Sequence, residues 1–309
     1  MIDLLCGDNP VWEATALLPS LPPDAATAPI SELLARASEI VRDGGGSAHN
    51  TAVAAARLGR SVAVVGRVGD DEEGRQATAA LQGLAAHIAV SAGRRTKRSF
   101  IFKGPDDRGL FRVEVPERAV LPLRPADVPA DLLSGARLLH LDRVTDTALA
   151  LARRRSGRPV SLDLHTCPGR PLARERLDAL LPLLAVLQLS EAAARDIGAL
   201  RGLSEIAAVA AALAAVVPWV VVTLGERGSV AASGARVVGI PPSVARVVDS
   251  TGAGDAHAAA LLDGWLDGLP LYDAATRAAR AGALACAALG ARGAVIRLED
   301  LSPAPGAAR

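Results

Sequence analysis

Short apolar runs alternate with longer alanine-rich segments along most of the chain, and this alternation predicts its secondary structure. Six runs rich in Val and Leu have the length of buried strands: Ile2–Cys6, Val62–Val65, Leu138–Leu141, Val160–Leu164, Val186–Leu189 and Val220–Leu224. Six longer segments predict helices: Thr51–Leu58, Gly74–Leu84, Thr147–Arg155, Ser204–Val216, Ala256–Leu266 and Tyr272–Ala288. Because apolar strands separated by helices are typical of parallel sheets, we expect an α/β fold with a central, mostly parallel sheet and helices on both faces.

Two segments interrupt this alternation. Residues 9–43 contain the proline-rich stretch LPSLPP and no clear strand–helix unit, whereas residues 94–118 hold two short β-rich runs around the turn sequence GPDDRG. The second segment predicts a β-hairpin that projects from the sheet. It also contains all three phenylalanines of the chain, at positions 100, 102 and 111. These rings either cover a ligand or a second subunit, or pack inside a small β lobe.

Composition narrows the class of partner. The 34 basic and 33 acidic side chains give a net charge of +1, which excludes the electrostatic footprint of a protein that binds nucleic acid or an anionic membrane. The three cysteines are far apart and form no CxxC pair, as in a reduced compartment. The most apolar stretch, 206–224, is interrupted by Pro218, which favours a helix, a turn and a strand over a membrane span. We therefore expect a cytoplasmic protein.

Three glycine-rich motifs carry candidate chemistry: GGGSAHN at 44–50, VVVTLGERGS at 220–229 and DSTGAGDA at 249–256. In the third motif, Gly252, Ala253 and Gly254 precede an alanine-rich helix, whose N-terminal N–H groups suit phosphate oxygens. Asp255 could cap this helix. A carboxylate beside a phosphate site is electrostatically unfavourable, however, unless it accepts a proton from a nucleophile. Phosphoryl transfer to an alcohol needs both such a base and such donors.

The three motifs, in this order, resemble the signatures of the ribokinase-like PfkB carbohydrate kinase family. The front signature is matched by GGSAHNTA at 45–52, RLG at 57–59 and GRVGDDEEG at 66–74, and the rear signature by DSTGAGDA. The turn LGERG at 224–228 matches the family's nucleotide-binding loop. The resemblance covers almost the whole chain and implies one ribokinase-like domain over residues 1–309. It also implies lid insertions at approximately 9–30 and 94–118.

The resemblance implies a role for each matched residue. Asp255 corresponds to the catalytic base, and Gly252, Ala253 and Gly254 to the anion hole for the transferred phosphoryl group. The resemblance implies two further groups of binding residues. The sugar would contact Asp8, Gly45, Gly46 and Asn50, and the nucleotide would contact Ser190, Thr223, Gly225 and Gly228. The implied cofactors are ATP and Mg²⁺, with a monovalent cation such as K⁺ near Asp249 and Ser250.

Some positions depart from the family pattern. The usual acid after the first strand falls on Trp12, so Asp8 or Glu13 would contact the sugar, and we favour Asp8. The family's Asn-x-x-Glu motif, tied to the magnesium network, falls on Ser190-Glu191-Ala192-Ala193, where Glu191 is left to act on the metal through water. His257 replaces a usual Phe and is expected to pack rather than react.

The expected activity is ATP-dependent phosphorylation of a hydroxyl on a small neutral or acidic sugar, by a homodimer formed through the lid. Asp163, His165 and Arg170 follow a strand and are expected to face the substrate. A nucleoside kinase of the same fold and a non-catalytic sugar or nucleotide sensor are the alternatives. Few aromatic side chains are available to stack on a base, which weakens the first. The intact GAGD sequence opposes the second. No GxGxxG motif follows the first strand, as a dehydrogenase would require.

Overall fold

The chain folds around two β-sheets, one large and one small, in a computed structural model that describes residues 1–105, 109–165, 172–244 and 246–302. The strands are β1 (Leu4–Gly7), β2 (Val11–Leu17), β3 (Glu39–Gly45), β4 (Val62–Gly69), β5 (Ala85–Ser91), β6 (Arg98–Lys103), β7 (Gly109–Glu114), β8 (Leu138–Leu141), β9 (Val160–Leu164), β10 (Val186–Ser190), β11 (Trp219–Thr223), β12 (Ser229–Ser233) and β13 (Arg236–Ile240). The α-helices are α1 (Ile30–Ala35), α2 (Ser47–Arg57), α3 (Glu72–Ala79), α4 (Ala130–Gly135), α5 (Asp146–Arg154), α6 (Arg174–Leu180), α7 (Glu191–Arg201), α8 (Ile206–Ala214), α9 (Ala253–Leu266) and α10 (Leu271–Ala285).

The large sheet has nine strands within the described residues, in the order β13-β12-β11-β10-β9-β8-β1-β4-β5. Its strands pair in parallel from β11 to β5, and at the other edge β12 pairs antiparallel with both β11 and β13. All six predicted strands lie in its parallel part. The carboxyl ends of β1, β8, β9, β10 and β11 therefore meet at one edge, where ligands of such sheets bind.

Helices cover both faces of the large sheet because its strands are apolar on both sides. In β1, Leu5 packs into one core with residues of α5, α6, α7 and α8, whereas Leu4 and Cys6 pack into a second core with α2, α9 and α10. This alternation is the period of two that a strand imposes on its side chains. The predicted α/β architecture is confirmed.

The small sheet has the order β3-β2-β6-β7, and its strands come from three separate parts of the sequence. One of its faces forms a third core, which contains Phe100 and Phe102 together with Leu33 of α1. These two rings thus pack inside the small lobe, whereas Phe111 is 56% exposed. β3 lies outside both segments in which the sequence indicated lid structure. Residues 106–108, at the tip of the predicted hairpin, are outside the described residues.

The apolar stretch 206–224 folds as α8 followed by β11, as the sequence predicts. Within the described ranges, no single helix is long and apolar enough to cross a membrane. The pair α7 and α8 is apolar enough when taken together, but the two helices meet at 76°. Val209 and Leu213 of α8 are buried in the protein core.

Candidate active site

The loop that leads into α9 lies close to the segment after α10. Gly252 has a φ of +80°, and a Cβ at this position would lie 2.4 Å from the Ala291 carbonyl oxygen. Only glycine fits such a left-handed, crowded position without strain. Gly252 thus fixes the start of α9 at Ala253.

The first turn of α9 presents backbone donors at the sheet's carboxyl edge. The Ala253 N–H donates to the Ser250 carbonyl at 3.2 Å, and the Ala256 N–H donates to Gly252. Between them, the N–H groups of Gly254 and Asp255 have no acceptor in the parts of the chain described here. A Cβ on Gly254 would meet nothing within 4 Å, so this side of the turn is open. Two unpaired N–H groups at a helix N-terminus form an arrangement that accepts an anion.

The Asp255 carboxylate does not cap its own helix. Its two oxygens instead accept hydrogen bonds from Ser47 Oγ at 2.5 Å and from Asn50 Nδ2 at 2.9 Å, both on α2. Burial raises the pKa of Asp255, and the bonds from Ser47 and Asn50 oppose this rise. The carboxylate is therefore oriented by neutral donors and made more basic than an exposed aspartate.

Arg292 fixes the orientation of Asn50. Its Nε donates to Asn50 Oδ1 at 2.8 Å, which leaves the Asn50 amide nitrogen to donate to Asp255. The Arg292 side chain is buried, and its Nη2 atom has no hydrogen-bond partner within the described residues. No sequence motif pointed to Arg292, since it lies 242 positions away from Asn50. Asn50, predicted as a sugar contact, also links Arg292 to Asp255.

Acidic side chains gather where β1, β8 and β9 end. Asp8 follows β1 and pairs with Arg143 at 2.9 Å, and the buried Asp142 follows β8 and accepts from the Ala48 N–H at 3.3 Å. Burial raises the pKa of Asp142, and the neighbouring Asp8 raises it further. Asp8 and Arg143 also line a cavity with Leu123 and Thr147.

Asp163, on the neighbouring strand β9, belongs to the same acidic group. Burial raises its pKa to about 7, with Asp255 and Asp142 adding to the effect and His165 opposing it. His165 lies just after β9, and its electrostatic interaction with Asp255 also lowers the pKa of Asp255. Arg170, predicted beside these two residues, lies outside the described residues.

A further buried acid enters the cleft from the small sheet. Glu13 of β2 lies against Gly45, where a Cβ would be 2.7 Å from Glu13 Oε2. Burial raises the pKa of Glu13 to about 7, Arg292 opposes the rise, and Asp255 adds to it. The structure therefore brings Glu13 to Gly45 and Asp255, and places Asp8 beside Arg143. Gly46, with a φ of +99°, is the N-cap of α2 and follows directly after Gly45.

Comparisons with known proteins agree with this geometry. The PfkB family carbohydrate kinase model matches residues 23–297. A fructokinase from Klebsiella pneumoniae is 32% identical over an alignment of 283 residues, and the match covers 83% of this chain and 90% of that protein. The chain belongs to the PfkB family. This PfkB protein is accordingly an ATP-dependent carbohydrate kinase.

Solved structures confirm the ribokinase-like fold. A ribokinase from Thermotoga maritima superposes with a TM-score of 0.80 at 18% identity, covering 97% of this chain and 98% of that one. An adenosine kinase from Sinorhizobium meliloti superposes with a TM-score of 0.76 at 25% identity, covering 92% and 94%.

In this PfkB kinase, the predicted nucleotide residues follow β10 and β11. Gly225 and Gly228 have positive φ values of 62° and 85°, and they close a tight turn in which the Leu224 N–H donates to the Gly228 carbonyl. Thr223 ends β11 and donates to the Leu189 carbonyl at 3.2 Å. Ser190 caps α7 by accepting from the Ala193 N–H at 3.2 Å. The turn is thus built largely of backbone groups at the ligand-binding edge of the sheet.

Two further predicted residues are engaged in contacts of their own. Glu191 pairs through one oxygen with Arg195 and through the other with Arg227, and both guanidinium groups lower its pKa. His257 is buried, and its Nδ1 lies 2.7 Å from Gln188 Oε1. Burial lowers the pKa of His257 to about 4, so it is neutral near pH 7.

Proposed function

We propose that this kinase transfers the γ-phosphoryl group of ATP to a hydroxyl of a small neutral sugar, with Asp255 as the general base. The observation that carries the proposal is the placement of the Asp255 carboxylate. Ser47 and Asn50 hold it at the N-terminus of α9, beside N–H groups that have no acceptor within the described residues. A base and an anion site therefore lie within one helical turn, as phosphoryl transfer to an alcohol requires.

The proposed step uses these groups in a fixed order. Asp255 accepts the proton of the sugar hydroxyl while the hydroxyl oxygen forms a bond to the γ-phosphorus. The bond between that phosphorus and the β–γ bridging oxygen breaks, and ADP leaves with the electron pair. The N–H groups of Gly254 and Asp255 donate to the charged phosphoryl oxygens during transfer, and the positive end of the α9 dipole adds to this stabilisation.

The nucleotide is proposed to bind at the turn formed by Gly225 and Gly228, next to Thr223 and Ser190. Mg²⁺ enters with ATP as part of the substrate, held mainly by phosphate oxygens, as this ion commonly is. No cluster of three or more His, Cys, Asp or Glu side chains within the described residues could hold a metal by itself. Glu191 is a poor support for the ion, because both of its oxygens already accept from arginines.

The acidic side chains of the cleft favour a neutral sugar over an acidic one. Glu13 and Asp163 both have pKa values raised to about 7, so either group can donate or accept hydrogen bonds with sugar hydroxyls. An acidic sugar would bring another negative charge to a place where carboxyl groups already repel each other. The fructokinase relative acts on a sugar of the neutral class, according to its name.

The aromatic side chains give little support to a nucleoside substrate. Phe102 is fully buried in the small-sheet core, and Trp12 packs edge-on against Phe100 with ring centroids 5.8 Å apart. These rings are occupied in the lid and do not offer open faces for a base. The similarity to an adenosine kinase nevertheless makes nucleosides the second candidate class.

We also propose that the whole chain acts as one domain and dimerises through the small sheet. Phe111, Val113 and Val115 are 56%, 47% and 55% exposed, and their alternate positions put them on one face of the outer strand β7 and its extension. An exposed apolar strand face of this kind favours a partner of the same composition.

The substrate proposal is tested by measuring ADP formation with neutral hexoses and pentoses, acid sugars and nucleosides at equal concentrations. We expect the highest kcat/KM with a neutral sugar. A nucleoside that reacts faster than every sugar would replace the first candidate by the second. Acid sugars that react fastest would contradict the electrostatic argument.

A further inference from the structure

The buried carboxylate of Asp249 has a full set of donors. Its Oδ1 accepts from the Thr251 N–H at 2.9 Å and from Thr251 Oγ1 at 2.6 Å, and its Oδ2 accepts from the Gly290 N–H at 2.8 Å. Asp249 is 0% exposed. A charged carboxylate removed from water in this way needs a positive charge beside it.

Lys103 supplies a positive charge from the lid. Its Nζ lies 3.2 Å from Asp249 Oδ1 and 3.2 Å from Ser250 Oγ, and its side chain is only 9% exposed. A lysine ammonium is a compact point charge with three donors, whereas an arginine is a broad planar fork. The sequence contains 34 basic residues but only two lysines, Lys97 and Lys103. The compact Lys103 ammonium thus lies at the buried Asp249 carboxylate, in a chain whose other basic residues are nearly all arginines.

The small sheet holds Lys103 in this position. Lys103 ends β6, with Leu17 of β2 as its partner on one side and Gly109 of β7 on the other. A Cβ on Gly109 would lie 2.8 Å from Lys103 Cδ, so the glycine makes room for the lysine stem. Because Phe102 faces the third core, Lys103 faces the opposite side, toward the large sheet. The direction of the ammonium group follows from the strand register.

The oxygen atoms around Asp249 do not fit a free monovalent cation. Both carboxylate oxygens accept N–H groups, and the Ser250 carbonyl accepts from Ala253. The Cys286 carbonyl accepts from both the Val248 and the Asp249 N–H groups, at 2.8 and 3.2 Å. An added cation would also have to lie beside the Lys103 ammonium, whose like charge repels it.

We infer that the Lys103 ammonium takes the place of a monovalent cation at Asp249, so that this kinase works without K⁺. This inference rests on the proposed function, since it concerns the loop that leads to the anion site of α9. The lysine neutralises Asp249 and, through Ser250, holds the segment that ends at Gly252. It is a positioning residue, because it acts on the loop and not on the reacting atoms.

The test compares wild type, Lys103→Met and the matched control Lys97→Met, which removes the other lysine charge of the lid region. Each protein is freed of alkali ions and studied in tetramethylammonium chloride or KCl at about 0.1 M, so that both salts screen charges equally. Two quantities are measured: the melting temperature, and the rate of ADP formation by direct chromatography, which needs no coupling enzyme with its own cation requirement.

We expect wild type and Lys97→Met to change less than about twofold in rate between the two salts, with equal melting temperatures, because both proteins keep the Lys103 ammonium at Asp249 and both salts screen charges alike. In tetramethylammonium chloride, Lys103→Met is expected to melt at least about 5 °C lower and to lose about tenfold or more in rate, because Asp249 loses its partner. K⁺ is expected to restore part of both losses in this variant alone.

A K⁺-specific rise in wild-type rate or melting temperature would overturn the inference. It would also fail if Lys103→Met matched Lys97→Met in both quantities without K⁺. Should Lys103→Met not fold, the wild-type comparison and the milder Lys103→Gln variant decide the question. If wild type phosphorylates no acceptor in either salt, the proposed function fails, whereas the melting temperatures still report on the cation.

Discussion

Asp249 and Asp255 lie six positions apart in the same motif, but their carboxylates have different environments. Asp249, in the loop before α9, is buried and receives three backbone or hydroxyl hydrogen bonds and an ammonium group. Asp255, in the first turn of α9, receives two neutral hydrogen bonds and has a raised pKa. The first carboxylate is stabilised as a charge and holds the loop in place. The second has a raised pKa, which suits the role of base that we propose for it.

The strongest test of this difference is to neutralise the Asp255 carboxylate. Asp255→Asn should keep the melting temperature within a few degrees, since Ser47 and Asn50 form its only hydrogen bonds among the described side chains. Its kcat should fall by about 10²–10⁴-fold or more, the range for general-base catalysis. Turnover and thermal melts with and without ATP are the measurements. A folded variant with near-normal turnover would refute the proposed mechanism.

The matching change at the first carboxylate should act on stability. Asp249→Asn removes the carboxylate charge that lies 3.2 Å from the Lys103 ammonium, and breaking one side of a buried pair costs about 3–5 kcal/mol of unfolding free energy. Denaturant unfolding measures this loss. The double variant Asp249→Asn with Lys103→Met should recover part of it, because both charges of the pair are then removed together. Additive losses in the double variant would show that the two groups do not interact.

The two glycines between the carboxylates provide a matched pair. Gly254→Val should keep the fold, because a Cβ there meets nothing within 4 Å, but its branched side chain should obstruct the anion site. We expect a loss in kcat of about 10²-fold, as for one lost oxyanion-hole donor. Gly252→Ala should instead lose stability, because the Cβ would lie 2.4 Å from the Ala291 carbonyl oxygen. The opposite pattern, with only Gly254→Val unfolding, would reverse these assignments.

Substitutions of Arg292 separate two effects on Asp255: the hydrogen bond that orients Asn50, and the positive charge that lowers the Asp255 pKa. Arg292→Met removes the donor that fixes Asn50 and a positive charge that lowers the pKa of Asp255. We expect kcat to fall by about tenfold and the acidic limb of the pH–rate profile to move to higher pH, because the base protonates more easily. Arg292→Lys should retain the limb and lose less rate. An unchanged pH profile in Arg292→Met would show that Arg292 only packs.

The smallest expected effect concerns Glu13, the buried acid that reaches the cleft from the small sheet. Its pKa is raised to about 7 by burial, so between about pH 4.5 and 7 the folded protein binds more protons than the unfolded chain. The free energy of unfolding therefore falls as pH rises through this range, by about 2 kcal/mol for this group. Glu13→Gln should lose this fall, so that its stability relative to wild type improves from pH 5 to pH 8. Parallel stability curves would contradict the assignment.

The parts of the fold that the sequence predicted are those with continuous apolar runs. β1, β4, β8, β9, β10 and β11 are buried on both faces, so their composition alone marks them. β5 has the sequence AAHIAVS and is mostly exposed, while β13 is an edge strand that is only half-buried. Such strands lack a continuous apolar run, and their formation depends on the neighbouring strand. Their positions therefore require tertiary structure.

The candidate site shows the same division. The residues within one motif, such as Gly252 to Asp255, can be identified by their local order. Ser47, Arg292 and Lys103 could not, since they reach their partners across 208, 242 and 147 positions. A serine, an arginine or a lysine taken alone is an ordinary surface residue. Only the fold brings each of them to a particular carboxyl or amide group.

The order of the strands also constrains biosynthesis. β1 lies inside the large sheet between β4 and β8, so it lacks one neighbour until residue 141 has been synthesised. β2 likewise lacks its neighbour β6 until that strand has been synthesised. The helix α9 follows all the described strands in the sequence. Asp255 is thus synthesised after all the described strands of both sheets. A chain on the ribosome that ends before residue 255 already carries the Gly225 and Gly228 turn but lacks the proposed base, so on the proposed mechanism it cannot transfer phosphate from ATP to a sugar.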